Sequence, residues 1–206
     1  MKNNPFQLKG KTILVTGASS GIGKEIAIQL SQSEANVIIT GRDSVRLQAT
    51  FSALQGESNR QLIADLSEAE ELAQFVEQLP GLDGIVHSAG LIKRVPLKMI
   101  SEKNLNELMN VNFIAPVLLT RALYKKRLIN PEASIVFISS VAAQTASLGN
   151  IMYMASKGAI NSFMKGIALE LADSGIRANA IQPGMVKTNL TKAIPDDEIV
   201  KDMKRY

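Results

Sequence analysis

The sequence predicts one doubly wound α/β domain, in which helices cover both faces of a parallel sheet. Short apolar, β-branched runs alternate with longer helix-forming segments, and a glycine-rich turn follows the first run. No repeat, low-complexity run or Pro/Gly/Ser-rich linker divides the 206 residues. Strands joined by helices of this length imply right-handed βαβ units.

The alternation places each element. Strands are expected at residues 12–16, 36–40, 61–64, 84–87, 134–139 and 177–181, and helices at residues 22–33, 44–54, 68–78, 102–127 and 152–172. Ligands of such sheets bind beyond the carboxyl ends of the strands. Asp65, residues 88–90, Ser140 and residues 183–188 each follow a predicted strand, so we expect them to meet at one edge.

Composition excludes several classes of protein. A hydrophobic content of 46% suits one domain with a sizeable core. We expect neither a membrane span nor a secretory signal, because no apolar run is long enough for either. Zero cysteines and a single histidine argue against disulfides and metal sites, and they fit a cytoplasmic protein.

The net charge of +4 is spread over small basic clusters at residues 93–94, 121–127 and 201–205. Nucleic-acid binding favours a denser basic stripe with aromatic residues, and the aromatic content is only 4%. We therefore interpret the clusters as solvated helix faces and expect no nucleic-acid partner. The mild positive bias could help to attract an anionic cofactor or substrate.

The turn after the first strand contains Gly17, Gly21 and Gly23 and leads directly into a helix-forming stretch. Glycines permit close backbone approach, while the N–H groups and dipole of a helix N-terminus attract a pyrophosphate. A glycine triplet alone also fits an ordinary strand-to-helix turn. The flanking strand and helix favour a dinucleotide site.

Tyr153 and Lys157 lie four residues apart and would share one face of a helix. A neighbouring ammonium lowers the pKa of a phenol, which would then exchange a proton as a general acid or base. Such pairs are also common on solvated helix faces.

Taken together, Gly17-x-x-x-Gly21-x-Gly23, a serine thirteen residues before the tyrosine, and Tyr153-x-x-x-Lys157 resemble the short-chain dehydrogenase/reductase family, in particular its 3-oxoacyl reductases. The resemblance spans residues 9–188 and implies a single Rossmann-type domain with an NAD(P) cofactor. It also implies that Ser140 orients the substrate oxygen, Tyr153 exchanges the proton, and Lys157 tunes the phenol and binds the nicotinamide ribose.

The family's counterpart of Asn112 binds a water that relays protons. Pro116 removes the N–H partner of the Asn112 carbonyl, which predicts a local kink there.

The resemblance also assigns the cofactor contacts. Asp65 would contact the adenine amino group, or it would precede an N-cap at Ser67 and favour the dipole of the next helix. Arg42 favours NADP because a guanidinium matches a 2′-phosphate, although no basic residue precedes Gly21; the alternative is a surface turn beside Asp43. The implied cofactor-binding set is Gly17, Ser19, Ser20, Gly21, Ile22, Gly23, Arg42, Asp65, Leu66, Ala89, Gly90, Tyr153, Lys157, Pro183, Gly184, Val186 and Thr188.

Two departures from the family pattern stand out. His87-Ser88-Ala89-Gly90 replaces the usual Asn-Asn-Ala-Gly, and we interpret His87 as a strand-end histidine with a satisfied ring rather than an acid or base.

Family members continue through a substrate-covering segment and a last strand, whereas this sequence stops at Tyr206, with residues 195–205 predicted to begin a lid helix. We expect an incomplete C-terminal segment; a truncated homologue with an open pocket is the alternative.

The predicted function is an NADP-dependent oxidoreductase that interconverts a ketone and a secondary alcohol, similar to a 3-oxoacyl thioester reductase. The alternative is a non-catalytic NADP(H)-binding sensor or partner subunit; an epimerase or dehydratase of the extended branch is disfavoured by the glycine spacing and the length. By resemblance, the helices predicted at residues 102–127 and 152–172 would form a homodimer or homotetramer interface through Val117, Leu118, Phe163 and Ile167. The alternative for these residues is ordinary packing on the sheet.

Overall fold

A six-stranded parallel sheet forms the centre of the protein, as a computed structural model describes it for residues 6–188 and 190. The strand order is β3-β2-β1-β4-β5-β6, so the order of the strands switches direction between β1 and β4. The strands are β1 (Thr12–Thr16), β2 (Asn36–Gly41), β3 (Arg60–Ile63), β4 (Leu82–His87), β5 (Ile129–Ile138) and β6 (Arg177–Ile181). The doubly wound α/β architecture is therefore confirmed.

Helices connect successive strands as right-handed crossovers require. They are α1 (Gly21–Gln32), α2 (Ser44–Phe51), α3 (Ala69–Glu77), α4 (Glu102–Met109), α5 (Ala115–Lys125) and α6 (Ile151–Glu170), with single 3-10 turns at Leu97–Met99, Val141–Ala143 and Ala172–Ser174. The lid helix expected at residues 195–205 lies outside the described residues.

Each face of the sheet carries its own core, because alternate residues of a strand point to opposite faces. Leu14 and Ile135 belong to the cluster that includes side chains from α3, α5 and α6, whereas Val15 and Val37 belong to the cluster on the α1 side. Phe163 and Ile167 of α6, which the sequence assigned to a subunit interface, pack in or against the first cluster. For these two residues ordinary packing on the sheet is the better interpretation.

The helix predicted for residues 102–127 is not continuous. A π-turn at Asn110–Ile114 separates α4 from α5, and the Ala115 N–H donates to the Asn110 carbonyl five residues earlier. Pro116 explains the break, since it lacks the N–H that a regular helix would offer to the Asn112 carbonyl. The expected irregularity is present, as one extra residue in the helix rather than as a simple bend.

Strand β5 begins five residues earlier than predicted. Its first part contains Pro131, which cannot donate to a ladder, and Glu132, whose φ is 63°. The pairing with β4 shifts register between Leu82 and Gly84, and this bulge accommodates the irregular residues. The regular part from Ser134 onward matches the prediction.

Candidate active site

A cleft of about 510 Å³ lies at the carboxyl edge of the sheet, across the switch between β1 and β4. Ser140 and every residue of the cofactor-binding set implied by the sequence line it. Among the residues predicted to act in the site, only Asn112 does not reach its surface. The motifs therefore converge on one edge, as their positions after the strands predicted.

The glycine turn fits tightly between β1, α1 and the segment after β4. Gly17 has a φ of +66°, and a Cβ there would lie 2.6 Å from the Ala89 Cα. A Cβ on Gly23 would lie 2.5 Å from the Gly17 carbonyl oxygen. Ser20, the N-cap of α1, makes no side-chain capping bond, and the first turn contains no acidic residue. The first-turn N–H groups are thus left to an anion, so this end of the cleft fits the diphosphate of a dinucleotide.

Thr16 ties the glycine turn to the next strand of the sheet. Its Oγ1 accepts hydrogen bonds from the N–H groups of Ser88 at 3.1 Å and Ala89 at 3.2 Å. The sequence analysis assigned Thr16 only to the end of the first predicted strand. A hydroxyl on the last residue of a buried strand was the one signal for this role.

Paired charges lie at the end of the cleft beside β2 and β3, which we call the adenosine end after the cofactor contact expected there. Arg42 Nη1 donates to Asp65 Oδ2 at 3.1 Å. Burial raises the pKa of Asp65, but hydrogen bonds from Ser67 and the Arg42 guanidinium outweigh it and hold the pKa below its usual value. The N-cap of α3 is Glu68, so the capping role expected for Ser67 is wrong. Ser67 instead donates to the Asp65 carboxylate from its backbone and its hydroxyl.

Arg46 is a cleft residue that the sequence analysis missed. It lies in the first turn of α2 and lines the same part of the cleft as Arg42. Its Nε donates to Asp43 Oδ2 at 2.8 Å, while Asp43 also caps the helix by accepting from the Arg46 backbone N–H at 2.9 Å. Two guanidinium groups at the end of β2 fit a phosphate on the adenosine ribose. An aspartate directly before a helix-forming segment predicts an N-cap, and this signal would have placed Arg46 in the first turn of the helix that follows β2.

Lys157 lies almost fully buried under the cleft floor, with 6% of its surface exposed. Its Nζ donates to the carbonyl of Ile138, the last residue of β5, at 2.8 Å. Burial lowers the pKa of Lys157 to about 8. The ammonium is therefore still the main form at neutral pH and is fixed by the backbone.

Tyr153 and Ser140 meet at the end of the cleft where Lys157 lies. Nζ of Lys157 is 5.6 Å from the centre of the Tyr153 ring. Burial raises the pKa of the phenol above its ordinary value, and a hydrogen bond with Ser140 only partly opposes this. The lowering expected from Lys157 is wrong for this structure, because the ammonium donates to the Ile138 carbonyl and burial dominates. A protonated phenol at neutral pH suits a proton donor.

Asn112 lies behind the cleft wall, with 2% of its surface exposed. Its amide accepts from the Leu91 N–H at 2.8 Å, donates to the Leu91 carbonyl at 2.9 Å and donates to Ser156 Oγ at 3.1 Å. Ser156 in turn donates to the carbonyl of Tyr153 at 2.8 Å. The Asn112 side chain thus joins the segment after β4 to the first turn of α6. A role for Ser156 was not foreseen from the sequence.

His87 is buried and neutral, as the sequence analysis expected. Its ring stacks on Phe137 with centroids 4.7 Å apart, and Nε2 lies 3.0 Å from Thr120 Oγ1. Because the Thr120 hydroxyl donates to the Pro116 carbonyl, the imidazole must donate to Thr120. Burial lowers the pKa of His87 to about 3, which excludes it as an acid or base near neutral pH.

The loop after β6 crosses the glycine turn. The Val141 N–H donates to the Pro183 carbonyl at 3.1 Å, and the Thr188 side chain lies 3.3 Å from where a Cβ on Gly21 would stand. Pro183, Gly184 and Val186 also line the cleft. The loop therefore lies beside both the diphosphate end and the Ser140 end.

The fold, the glycine turn and the Ser140–Tyr153–Lys157 cluster define a dinucleotide-dependent oxidoreductase. The family model of the short chain dehydrogenases matches residues 11–199, and the protein belongs to this family, whose members bind a nicotinamide cofactor. In the part of the chain that the structure describes, no helix is both long and apolar enough to cross a bilayer.

Relatives with different substrates resemble this chain to similar degrees. It is 32% identical over 193 residues to the 3-oxoacyl-acyl-carrier-protein reductase FabG of Rickettsia bellii, covering 94% of this chain and 80% of that one. It is 30% identical over 203 residues to the gluconate 5-dehydrogenase of Gluconobacter oxydans, covering 96% and 79%. A crystal structure from Beutenbergia cavernae, provisionally described as an NAD(P)-dependent gluconate 5-dehydrogenase with NADP at low occupancy, superposes with a TM-score of 0.86 at 31% identity, covering 98% and 83%.

Proposed function

We propose that this protein transfers a hydride between NADP(H) and a ketone or secondary alcohol, with Tyr153 as the proton donor or acceptor. The observation that carries the proposal is the Tyr153 phenol, hydrogen-bonded to Ser140 and beside the buried Lys157 ammonium. These groups share one cleft with the glycine turn. A positioned acid beside a dinucleotide site is what carbonyl reduction requires.

Residues from three parts of the cleft would hold the cofactor. The first turn of α1 would bind the diphosphate, Asp65 the adenine, and Arg42 with Arg46 the 2′-phosphate. The relative from Beutenbergia cavernae with NADP bound supports NADP over NAD. Lys157 would bind the nicotinamide ribose, and the loop with Pro183, Gly184, Val186 and Thr188 would fix the nicotinamide. When bound, the cofactor supplies or accepts the hydride at the carbonyl carbon.

Groups of the protein itself would bind the substrate oxygen and supply or accept its proton. The hydroxyls of Ser140 and Tyr153 would donate hydrogen bonds to the carbonyl oxygen, and Tyr153 would transfer its proton as the alcohol forms. The Lys157 ammonium would stabilise the phenolate left behind. The Asn112 backbone carbonyl, deprived of its helix partner by Pro116, would hold a water that returns a proton from solvent.

The compartment and the assembly are also proposals. The absence of cysteine fits a reducing compartment such as the cytoplasm. Self-association as a homodimer or homotetramer through α5 and α6 is supported by Leu118, which is 40% exposed on α5, and Leu169, which is 81% exposed on α6.

The test is NADPH oxidation against a panel of 3-oxoacyl thioesters, keto sugar acids and steroid ketones, followed through the absorbance of the reduced nicotinamide. Tyr153→Phe should lower kcat on the best substrate by about 10²–10⁴-fold and leave NADPH affinity unchanged, because only the transferable proton is removed. Tyr124→Phe is the matched control, since Tyr124 is 49% exposed on α5 and does not line the cleft.

Two outcomes would contradict the proposal. Full activity in Tyr153→Phe would remove Tyr153 from its assigned role. Tight NADPH binding with no oxidation by any carbonyl in the panel would favour the non-catalytic sensor.

A further inference from the structure

Two loops that contribute residues to the cleft are bonded to each other. The Val95 N–H, in the segment after β4, donates to the Gly149 carbonyl, in the segment before α6, at 2.7 Å. Gly149 has a φ of +71°, and a Cβ there would lie 3.8 Å from Arg94 Cβ. Arg94 is exposed and lines the cleft at this junction. The segment that contains Arg94 is thus bonded to the segment that runs from Ser140 to α6, the helix on which Tyr153 lies.

Charge is distributed differently at the two ends of the cleft. At the adenosine end, Arg42 and Arg46 are each paired with a carboxylate that also lines the cleft. At the Tyr153 end, the charged side chains among the described lining residues are Lys157 and Arg94, both cationic. Lys157 is buried and bound to the Ile138 carbonyl, so Arg94 is the cation whose position suits contact with a substrate.

We propose that Arg94 binds an anionic group, a carboxylate or a phosphate, on the carbonyl substrate. The inference rests on the proposed function and adds the substrate class to it. Arg94 already takes part in a polar interaction within the protein. A guanidinium has five N–H donors, however, and its planar fork can bind an oxyanion while it keeps another partner.

Part of the neighbouring lining is polar and could contact hydroxyl groups of a substrate. Thr145, Ser147 and Asn150 follow Ser140 along the same loop and line the cleft with Arg94. Hydroxyl and amide groups are suited to the hydroxyls of a short polyol chain. An anionic, hydroxylated ketone held by Arg94 at one end would present its carbonyl toward Tyr153 and Ser140 in a fixed orientation.

The experiment compares each anionic ketone with a neutral counterpart. The pairs are 5-keto-D-gluconate with L-sorbose, and dihydroxyacetone phosphate with dihydroxyacetone, so that the first arm tests a carboxylate and the second a phosphate. The wild-type protein should prefer the anionic member of at least one pair in kcat/KM. Arg94→Gln should lower kcat/KM for that member on the order of 30-fold, mainly through KM, and change the neutral member less than about 3-fold.

Lys93→Gln is the matched control, because Lys93 is the adjacent cation but pairs with Glu107 and does not line the cleft. It should leave both members of each pair unchanged, and NADPH affinity should be unchanged in both variants. Equal kcat/KM for anionic and neutral ketones in the wild type, or equal losses for both in Arg94→Gln, would overturn the inference and leave the proposed function standing. A wild-type protein that reduces no carbonyl at all would overturn the proposed function, and this inference with it.

Discussion

The two ends of the cleft use cationic side chains in opposite ways. Arg42 has 60% of its side chain exposed and pairs with Asp65, an arrangement that contributes about 0–1 kcal/mol to stability. Lys157 is almost fully buried and donates to a backbone carbonyl at the end of a central strand. One end carries charges that can change partners, and the other carries a charge that the fold has fixed.

This difference predicts which substitutions change cofactor affinity and which change turnover. An exposed arginine can leave its carboxylate for a ligand phosphate at little cost, because water solvates both groups meanwhile. A buried ammonium has no such freedom, so its position is set before any ligand arrives. Substitutions at the adenosine end should therefore change cofactor affinity alone, whereas substitutions at the Tyr153 end should change both turnover and the stability of the fold.

The largest effect is expected for Lys157→Met, which keeps the length of the side chain and removes its charge. Turnover should fall by about 10²–10⁴-fold, because the phenolate of Tyr153 loses its stabilising cation. The contribution of Lys157 to the pH dependence of stability should be present in the wild type and absent from the variant. Above pH 8 the unfolded lysine keeps a proton that the folded one has lost, so stability rises with pH.

Chemical denaturation of both proteins at pH 7 and pH 10 measures this term. The wild type should gain about 2 kcal/mol relative to Lys157→Met over that interval. Groups that titrate identically in the two proteins make no contribution to the difference between their free energies of unfolding. A constant difference between the two proteins would show that Lys157 is not buried as described.

An intermediate effect is expected for Asn112→Ala. The substitution leaves the N–H and carbonyl of Leu91 without their partner, so the free energy of unfolding should fall by about 2–4 kcal/mol. Turnover should fall roughly 10-fold, because the cleft wall and the first turn of α6 lose their link. Ser156→Ala removes two bonds, the one accepted from Asn112 and the one donated to the Tyr153 carbonyl, but leaves both bonds to Leu91, and should cost about 1 kcal/mol. Equal losses in the two variants would contradict the assignment of Asn112 as the central link.

The smallest effect on the protein itself is expected for Arg42→Ala. KM for NADPH should rise about 10-fold and KM for NADH should stay nearly constant, because only NADPH carries the 2′-phosphate. Thermal stability should be unchanged, as for other exposed ion pairs. Arg60→Ala is the control, since Arg60 is exposed on β3 and does not line the cleft. Parallel losses for NADPH and NADH would contradict the phosphate assignment.

Features encoded by short spacings could be predicted from the sequence. The first strand, the glycine turn and the start of α1 follow from consecutive residues, and the matching ends of β1 are exact. The parallel sheet follows from the rules for βαβ units, whereas the order of its strands was not predicted. The satisfied ring of His87 followed from its place at the end of a buried strand.

Features that depend on distant partners could not be predicted. The direction of the Tyr153 pKa depends on how deeply the phenol is buried, and no spacing between residues encodes that. The sequence predicts that Arg94 belongs to a solvated basic cluster. Its place beside the cleft depends on the loop contact with Gly149, which lies more than fifty residues away in the sequence. The early start of β5 at Ile129 is hidden by Pro131, a residue that normally argues against a strand.

The π-turn at Asn110–Ile114 sets the rotation of α5 about its own axis, and therefore which of its side chains face the sheet. Deleting one of its residues would remove the extra residue while Pro116 still lacked an N–H, and it would rotate everything downstream by about 100° about the helix axis. Leu119 and Leu123, now fully enclosed, would swing away from the sheet. The inserted residue is consequently held in place by the packing of α5, independently of the proton relay proposed for Asn112.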